Sequence, residues 1–133
     1  DSVALFMENR AEFVLSVLAI VKLGAGAALI NNSLSGAGLV HCIKATNAIA
    51  CIVGAERVDV LAQVLPELDL QAGRDYLWLP DGEALSAPTW ATDAGAGIAD
   101  LSYYLYGPRI VYIHFLRSVR IPAPRFFCLQ VLA

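Results

Sequence analysis

The residues of this sequence that could carry chemistry are its paired glycines, two histidines and three cysteines. Gly24/Gly26, Gly36/Gly38 and Gly95/Gly97 each form a Gly-x-Gly, the first half of a nucleotide-cradling turn. A dinucleotide fingerprint needs a third glycine three residues later, and Leu29, His41 and Asp100 stand at those positions. The first pair therefore reads as a helix exit followed by a close helix–strand approach. His41 and Cys42 are adjacent in a helical pattern, so their side chains point about 100° apart and do not converge on one metal or one substrate. They read as a half-exposed histidine and a packed cysteine. Cys51 lies in an apolar strand pattern, and His114 lies past residue 100. No phosphate loop of Walker type, Gly-x-Ser-x-Gly elbow or His-Glu-x-x-His pair occurs. No catalytic, cofactor-binding or metal-ligating residue is assigned. Asn31-Asn32-Ser33 fits a glycosylation acceptor, but reads better as a strand-to-helix turn in which Asn and Ser bond their own backbone.

The elements that must position these residues follow from periodicity. Val3 to Met7 is a short apolar strand. Asn9 is a candidate helix cap, with Glu12 as its capping-box partner. Phe13, Val14, Val17, Leu18 and Val21 repeat at helical spacing. Ile20 widens that stripe, which predicts a helix buried on most sides and stopped by Gly24. Ala27 to Ile30 is a second strand. Ser35 caps a second helix, Leu34 staples onto Leu39, and Leu39, Val40 and Ile43 face inward until Asn47 ends it. Ala48 to Val53 is apolar throughout, as in a parallel strand covered on both faces. Gly54 turns the chain into a third helix, Ala55 to Leu65, which must stop near Pro66. Tyr76 to Leu79 is a fourth strand, and residues 80–100 read as a surface loop. This β-α-β-α-β-α-β order predicts an α/β fold, a partial three-layer parallel sheet with right-handed crossover helices.

Apolar residues make up 58% of the 133, and charged residues 16%, which argues for a core rather than disorder. The net charge of −3 leaves no nucleic-acid footprint. It conceals a split. Residues 1–100 hold all 12 acids and five of the nine bases, net −7. Residues 101–133 hold no acid and four arginines, Arg109, Arg117, Arg120 and Arg125, net +4. Those arginines, interleaved with Tyr and Phe, show no periodicity that gathers them on one face. The split places a boundary at Leu101. Past it, Ile110 to Leu116 is one further strand candidate. An odd cysteine count without framework spacing points to a reduced, intracellular compartment. No signal peptide is visible, and the longest apolar run, Phe13 to Val21, is too short to span a bilayer. An opening in mid-pattern without Met is expected of a fragment.

FMENRAEFV (Phe6 to Val14) and KLGAGAALINNSLSGAGLVHCI (Lys22 to Ile43) resemble the early part of the adenylate-forming, AMP-binding domain of fatty acid transport proteins, which are also very-long-chain acyl-CoA synthetases. The resemblance covers residues 1–80 and is clearest over the first 55. It makes 1–100 a partial AMP-binding domain and 101–133 a tail outside the family, arising from a frame or splice departure near Asp100. Relatives usually carry Pro where this chain has Ala11, and Arg where it has Ser35. The family's ATP loop is a Thr-Ser-Gly-Thr-Thr-Gly-x-Pro-Lys segment after a Tyr-Ile-Tyr strand end. Here Tyr103, Tyr104 and Tyr106 lead instead to Gly107-Pro108-Arg109. Pro108 lacks an N–H, and a phosphate cradle needs successive N–H donors.

The resemblance implies ATP, magnesium and CoA as cofactors and co-substrates of the full-length family. Its substrate is a fatty acid, and its site is a membrane of the endoplasmic reticulum or the cell surface. The expectation for this chain is a part of such a synthetase that binds none of these groups, is inactive by itself and is marginally stable. Two alternatives stand beside it: a small non-catalytic α/β domain binding a partner through its sheet edges or basic tail, and part of another acyl- or aryl-CoA ligase.

Overall fold

A computed structural model describes residues 1–81 and 86–94 of the chain. Gly95, Gly97, Leu101, Tyr103, Tyr104, Tyr106, Gly107-Pro108-Arg109, His114, Cys128, the strand candidate 110–116 and the four late arginines lie outside them. The described elements are β1 (Ser2–Phe6), α1 (Ala11–Lys22), β2 (Gly26–Leu29), α2 (Gly36–Ala45), β3 (Ala48–Gly54), α3 (Val58–Ala62), β4 (Tyr76–Leu79) and β5 (Thr92–Asp93). Single 3-10 turns flank α3 at Ala55–Arg57 and Leu65–Glu67.

All strand pairings are parallel, in the order β2-β1-β3-β4-β5. Alternation of side chains along β1 sorts the core into two layers. Val3 and Leu5 join Ala50, Ile52, Leu77 and Leu79 beneath α1, through Phe13, Val17 and Ile20. Ala4 and Phe6 join Cys51, Val53, Tyr76 and Trp78 beneath α2 and α3, through Leu39, Val40, Ile43 and Leu61. Both faces of β1, β3 and β4 are thus buried, which is why those strands read as unbroken apolar runs. The predicted three-layer α/β arrangement is the observed one.

Local chemistry explains the helix ends. After α1, Gly24 takes φ +75°, a conformation that costs glycine little. There the Gly24 N–H reaches the Val21 carbonyl at 2.9 Å and the Ala25 N–H the Ile20 carbonyl at 3.1 Å. The last carbonyls of the helix are satisfied in a Schellman motif. After α2, Asn47 takes φ +47° in the same role.

Several expectations are corrected. The cap of α1 is Arg10, with no side-chain capping bond, so the Asn9–Glu12 box does not form. Ser35 does stand at the N-cap of α2, again without a side-chain bond. The single helix expected over Ala55 to Leu65 is a five-residue helix between two 3-10 turns, the second holding Pro66. Residues 80–100 are not all loop: Thr92 and Asp93 pair with Leu77 and Trp78. Finally, α1 is not buried on most sides. Ser16, Ala19 and Ile20 are buried, while Val14, Leu18 and Val21 are 56%, 56% and 59% exposed.

Candidate functional site

Open parallel sheets keep their ligands beyond the carboxyl ends of the strands, at the point where neighbouring connections leave in opposite directions. In this sheet that point lies between β1 and β3. The β1–β2 connection runs one way with α1 on one face. The connections onward from β2, β3 and β4 run the other way, with α2 and α3 on the opposite face. The chain leaves β1 through Met7, Glu8 and Asn9 into Arg10, and leaves β3 through Gly54 and Ala55 into Glu56 and Arg57.

These residues close the crevice on itself. Arg10 Nη2 stands 3.5 Å from Glu56 Oε2. Arg57 Nη2 donates to Glu8 Oε1 at 2.5 Å, and the Glu8 backbone N–H donates to Glu56 Oε1 at 2.7 Å. Two ion pairs and one backbone bond therefore cross between β1 and β3. Gly54 makes this possible. A methyl group there would coincide with the Glu56 carboxylate, which folds back over the end of β3.

Arg10 also reaches β4. Its Nη1 donates to the Pro80 carbonyl at 2.6 Å and its Nη2 to the Leu79 carbonyl at 3.2 Å. Nη1 further stands 3.5 Å from Glu12 and 3.6 Å from Asp81. With only 14% of its side chain exposed, the guanidinium has three carboxylates and two carbonyls as neighbours. Such a cation clamps backbone, while its Nε–H has no hydrogen-bond partner among the described residues.

The other singled-out residues do not gather here. Asn31 and Ser33 form the expected turn at the end of β2, where the Ser33 N–H donates to Asn31 Oδ1 at 2.9 Å. His41 is exposed on α2, and Cys42 packs half-buried against the core. Cys51 is fully buried in β3, and burial pushes its thiol up to about 12, far from nucleophilic range at neutral pH. Tyr76 is raised as well, first by burial and then by the nearby Cys51 and Asp75. Among the described residues, no group of three His, Cys, Asp or Glu side chains is placed to hold a metal ion. Nor is any described helix long and apolar enough to cross a membrane.

Sequence reasoning missed the clamp. Arg10, Glu56 and Asp81 are separated by dozens of residues, and only the topology brings them together. The signal available was indirect: a carboxylate stands two positions past the end of three apolar strands, at Glu8, Glu56 and Asp81.

Residues 1–103 match the family model for AMP-binding enzymes. Long-chain fatty acid transport protein 1 of Bos taurus is 32% identical over 121 aligned residues, covering 80% of this chain and 19% of that protein. Long-chain fatty acid transport protein 6 of Homo sapiens is 35% identical over 68 residues, 51% of this chain and 11% of that one. The chain thus spans at most about a fifth of these curated relatives. The crystal structure of the anthranilate CoA ligase AuaEII in complex with anthranoyl-AMP superposes with a TM-score of 0.55 at 27% identity, over 63% of this chain and 16% of that one. The crystal structure of a putative long-chain-fatty-acid CoA ligase from Rhodopseudomonas palustris shares the fold at 21% identity, with a TM-score of 0.54 over 68% of this chain and 22% of that one. Together with the parallel sheet and its order, this match makes the chain a member of the AMP-binding enzyme family and kin to the acyl-CoA ligases.

Proposed function

We propose that this chain is an α/β unit of a long-chain or very-long-chain fatty acyl-CoA synthetase of the transport-protein type. The observation that carries the reading is the 80% coverage of this chain by Long-chain fatty acid transport protein 1 of Bos taurus, on a sheet whose strand ends all face one edge. In such a synthetase a fatty carboxylate attacks ATP at its α-phosphorus, giving an acyl-adenylate and pyrophosphate. The CoA thiol then attacks the acyl carbonyl, giving the thioester and AMP. Magnesium accompanies ATP, and esterification at an endoplasmic-reticulum or plasma membrane draws the acid inward. In that scheme residues 1–94 supply frame, with the Arg10 clamp fixing three strand ends. This chain alone is inactive, because Gly107-Pro108-Arg109 stands where a Thr/Ser/Gly phosphate loop would be needed.

The direct test grafts residues 1–94 into the corresponding part of the bovine relative and follows acyl-CoA formation from a long-chain fatty acid. Retained thioester formation is expected. Loss of it in a folded chimera sinks the reading. Sequencing the transcript across the codons for Asp93 to Arg109 tests the second half: continuation into Thr-Ser-Gly-Thr-Thr-Gly makes residues 101–133 a frame or splice product, whereas confirmation of the sequence as written removes that claim. The 27% identity to the anthranilate ligase favours one second reading, an aryl rather than fatty acid substrate. The acyl pocket of a full-length relative decides between them.

A further inference from the structure

We propose that Arg10 is a positioning residue that fixes where the chain leaves β4, and that it does so through the Leu79 and Pro80 carbonyls rather than through its ion pairs alone. The inference stands on the geometry and does not depend on the reaction assigned to the parent enzyme.

The Pro80 carbonyl receives the shorter of the two bonds, 2.6 Å against 3.2 Å for Leu79. Pro80 has no N–H, so it cannot donate a ladder bond to a neighbouring strand. The next residue, Asp81, is exposed, and its carboxylate stands 3.6 Å from the same guanidinium. One fork thus grips two consecutive carbonyls and the side chain that follows. On its other side the fork meets Glu56, itself tied to the Glu8 backbone N–H. Arg10 is also the N-cap of α1, with extended backbone (φ −137°, ψ 176°), so its Cα is set by the β1–α1 junction. The guanidinium therefore transmits the position of β1 to the exit of β4, across the intervening strand β3. A planar fork with two donor arms can do this. A lysine ammonium is a single point on a flexible stem and does not set two carbonyls at once.

The far end of the β4–β5 connection is held by different means. Trp90 stacks edge-on against Tyr76 at 5.4 Å, its carbonyl accepts from the Gly73 N–H at 2.6 Å, and the Ala94 N–H donates to the Trp78 carbonyl at 2.9 Å. Loss of Arg10 should therefore loosen residues 79–81 without releasing residues 88–94.

The test is hydrogen–deuterium exchange on the full chain, comparing wild type, Arg10→Met and Arg10→Lys. In Arg10→Met, exchange in peptides ending at 79–81 should rise about tenfold or more, while peptides covering 2–6, 48–54 and 88–94 stay within about threefold of wild type. Arg10→Lys keeps the charge and should recover less than half of the lost protection. A uniform rise across all strands would show a general structural role and overturn the proposal. So would full protection in Arg10→Lys, which would assign the effect to charge. If Arg10→Met does not fold, the comparison of Arg10→Lys with Asp81→Asn decides. The proposal requires the larger loss at 79–81 in Arg10→Lys, and the reverse order refutes it.

Discussion

Replacing Tyr76 by phenylalanine should stabilise this fold, although it deletes a polar group from a close-packed core. Tyr76 is fully buried at the start of β4, and its hydroxyl has no hydrogen-bond partner among the described residues. A buried hydroxyl without a partner costs about 1–3 kcal/mol, since its bonds to water are lost and not replaced. The ring itself is well used, edge-on against Trp90 at 5.4 Å with an 87° interplanar angle. Phenylalanine keeps that contact and removes only the oxygen. Taking the low end of the range, because the space left by the oxygen gives back some packing, Tyr76→Phe should gain about 1 kcal/mol. For a unit of this size that corresponds to about 4–8 °C in Tm. Urea unfolding followed by the fluorescence of Trp78 and Trp90 reads it directly: the midpoint should rise while the slope stays constant. A midpoint that falls by the equivalent of 1 kcal/mol would mean the hydroxyl is bonded in solution, and the argument from its isolation would be wrong.

Three further outcomes follow from the same structure. Burial raises the Cys51 thiol from 9.0 to about 12, so the folded state keeps a proton that the unfolded chain releases. Stability is then complete below about pH 9 and declines as pH rises toward 12, at up to about 1.4 kcal/mol per pH unit. The drop in urea midpoint between pH 8 and pH 10 should shrink in Cys51→Val, and an unchanged drop would clear Cys51 of the effect. Gly54→Ala should cost about 1–3 kcal/mol by displacing the Glu56 carboxylate from Arg10, and most of that cost should vanish in an Glu56→Ala background; additive losses would refute the link. Leu18→Lys should change stability by no more than about 0.5 kcal/mol while reducing aggregation seen by light scattering, since Leu18 is 56% exposed beside Val14 and Val21; equal aggregation would show that this apolar stripe is not the sticky surface.

The strands were legible because burial on both faces leaves an unmistakable apolar run, as in Ala48 to Val53. Helix ends were legible where one residue must take a positive φ, as at Gly24 and Asn47. What stayed hidden has physical causes. A helix apolar around most of its circumference carries no instruction about which side faces the sheet, so α1 could not be oriented from Val14, Leu18 and Val21. A two-residue strand such as Thr92–Asp93 has no period to detect. The cap of α1 fell at Arg10 rather than Asn9 in a setting where the arginine side chain is drawn to carbonyls 69 and 70 positions away. No local rule contains that distance. The candidate site was invisible for the same reason, being made of pairs that exist only once β1, β3 and β4 lie side by side.

The first strand in the sequence is a central strand of the sheet, with β2 on one side and β3 on the other. Every described strand is parallel, so among them no hairpin can substitute a near neighbour for a missing one. A chain lacking residues 1–6 would keep α1 and four of the five described strands, but not the β1–α1 junction that sets Arg10. It would still leave β2 with no described partner and β3 with an open edge where Val3 to Phe6 had been. Loss of β1 would therefore be more damaging than loss of the whole of β5 from the edge of the sheet.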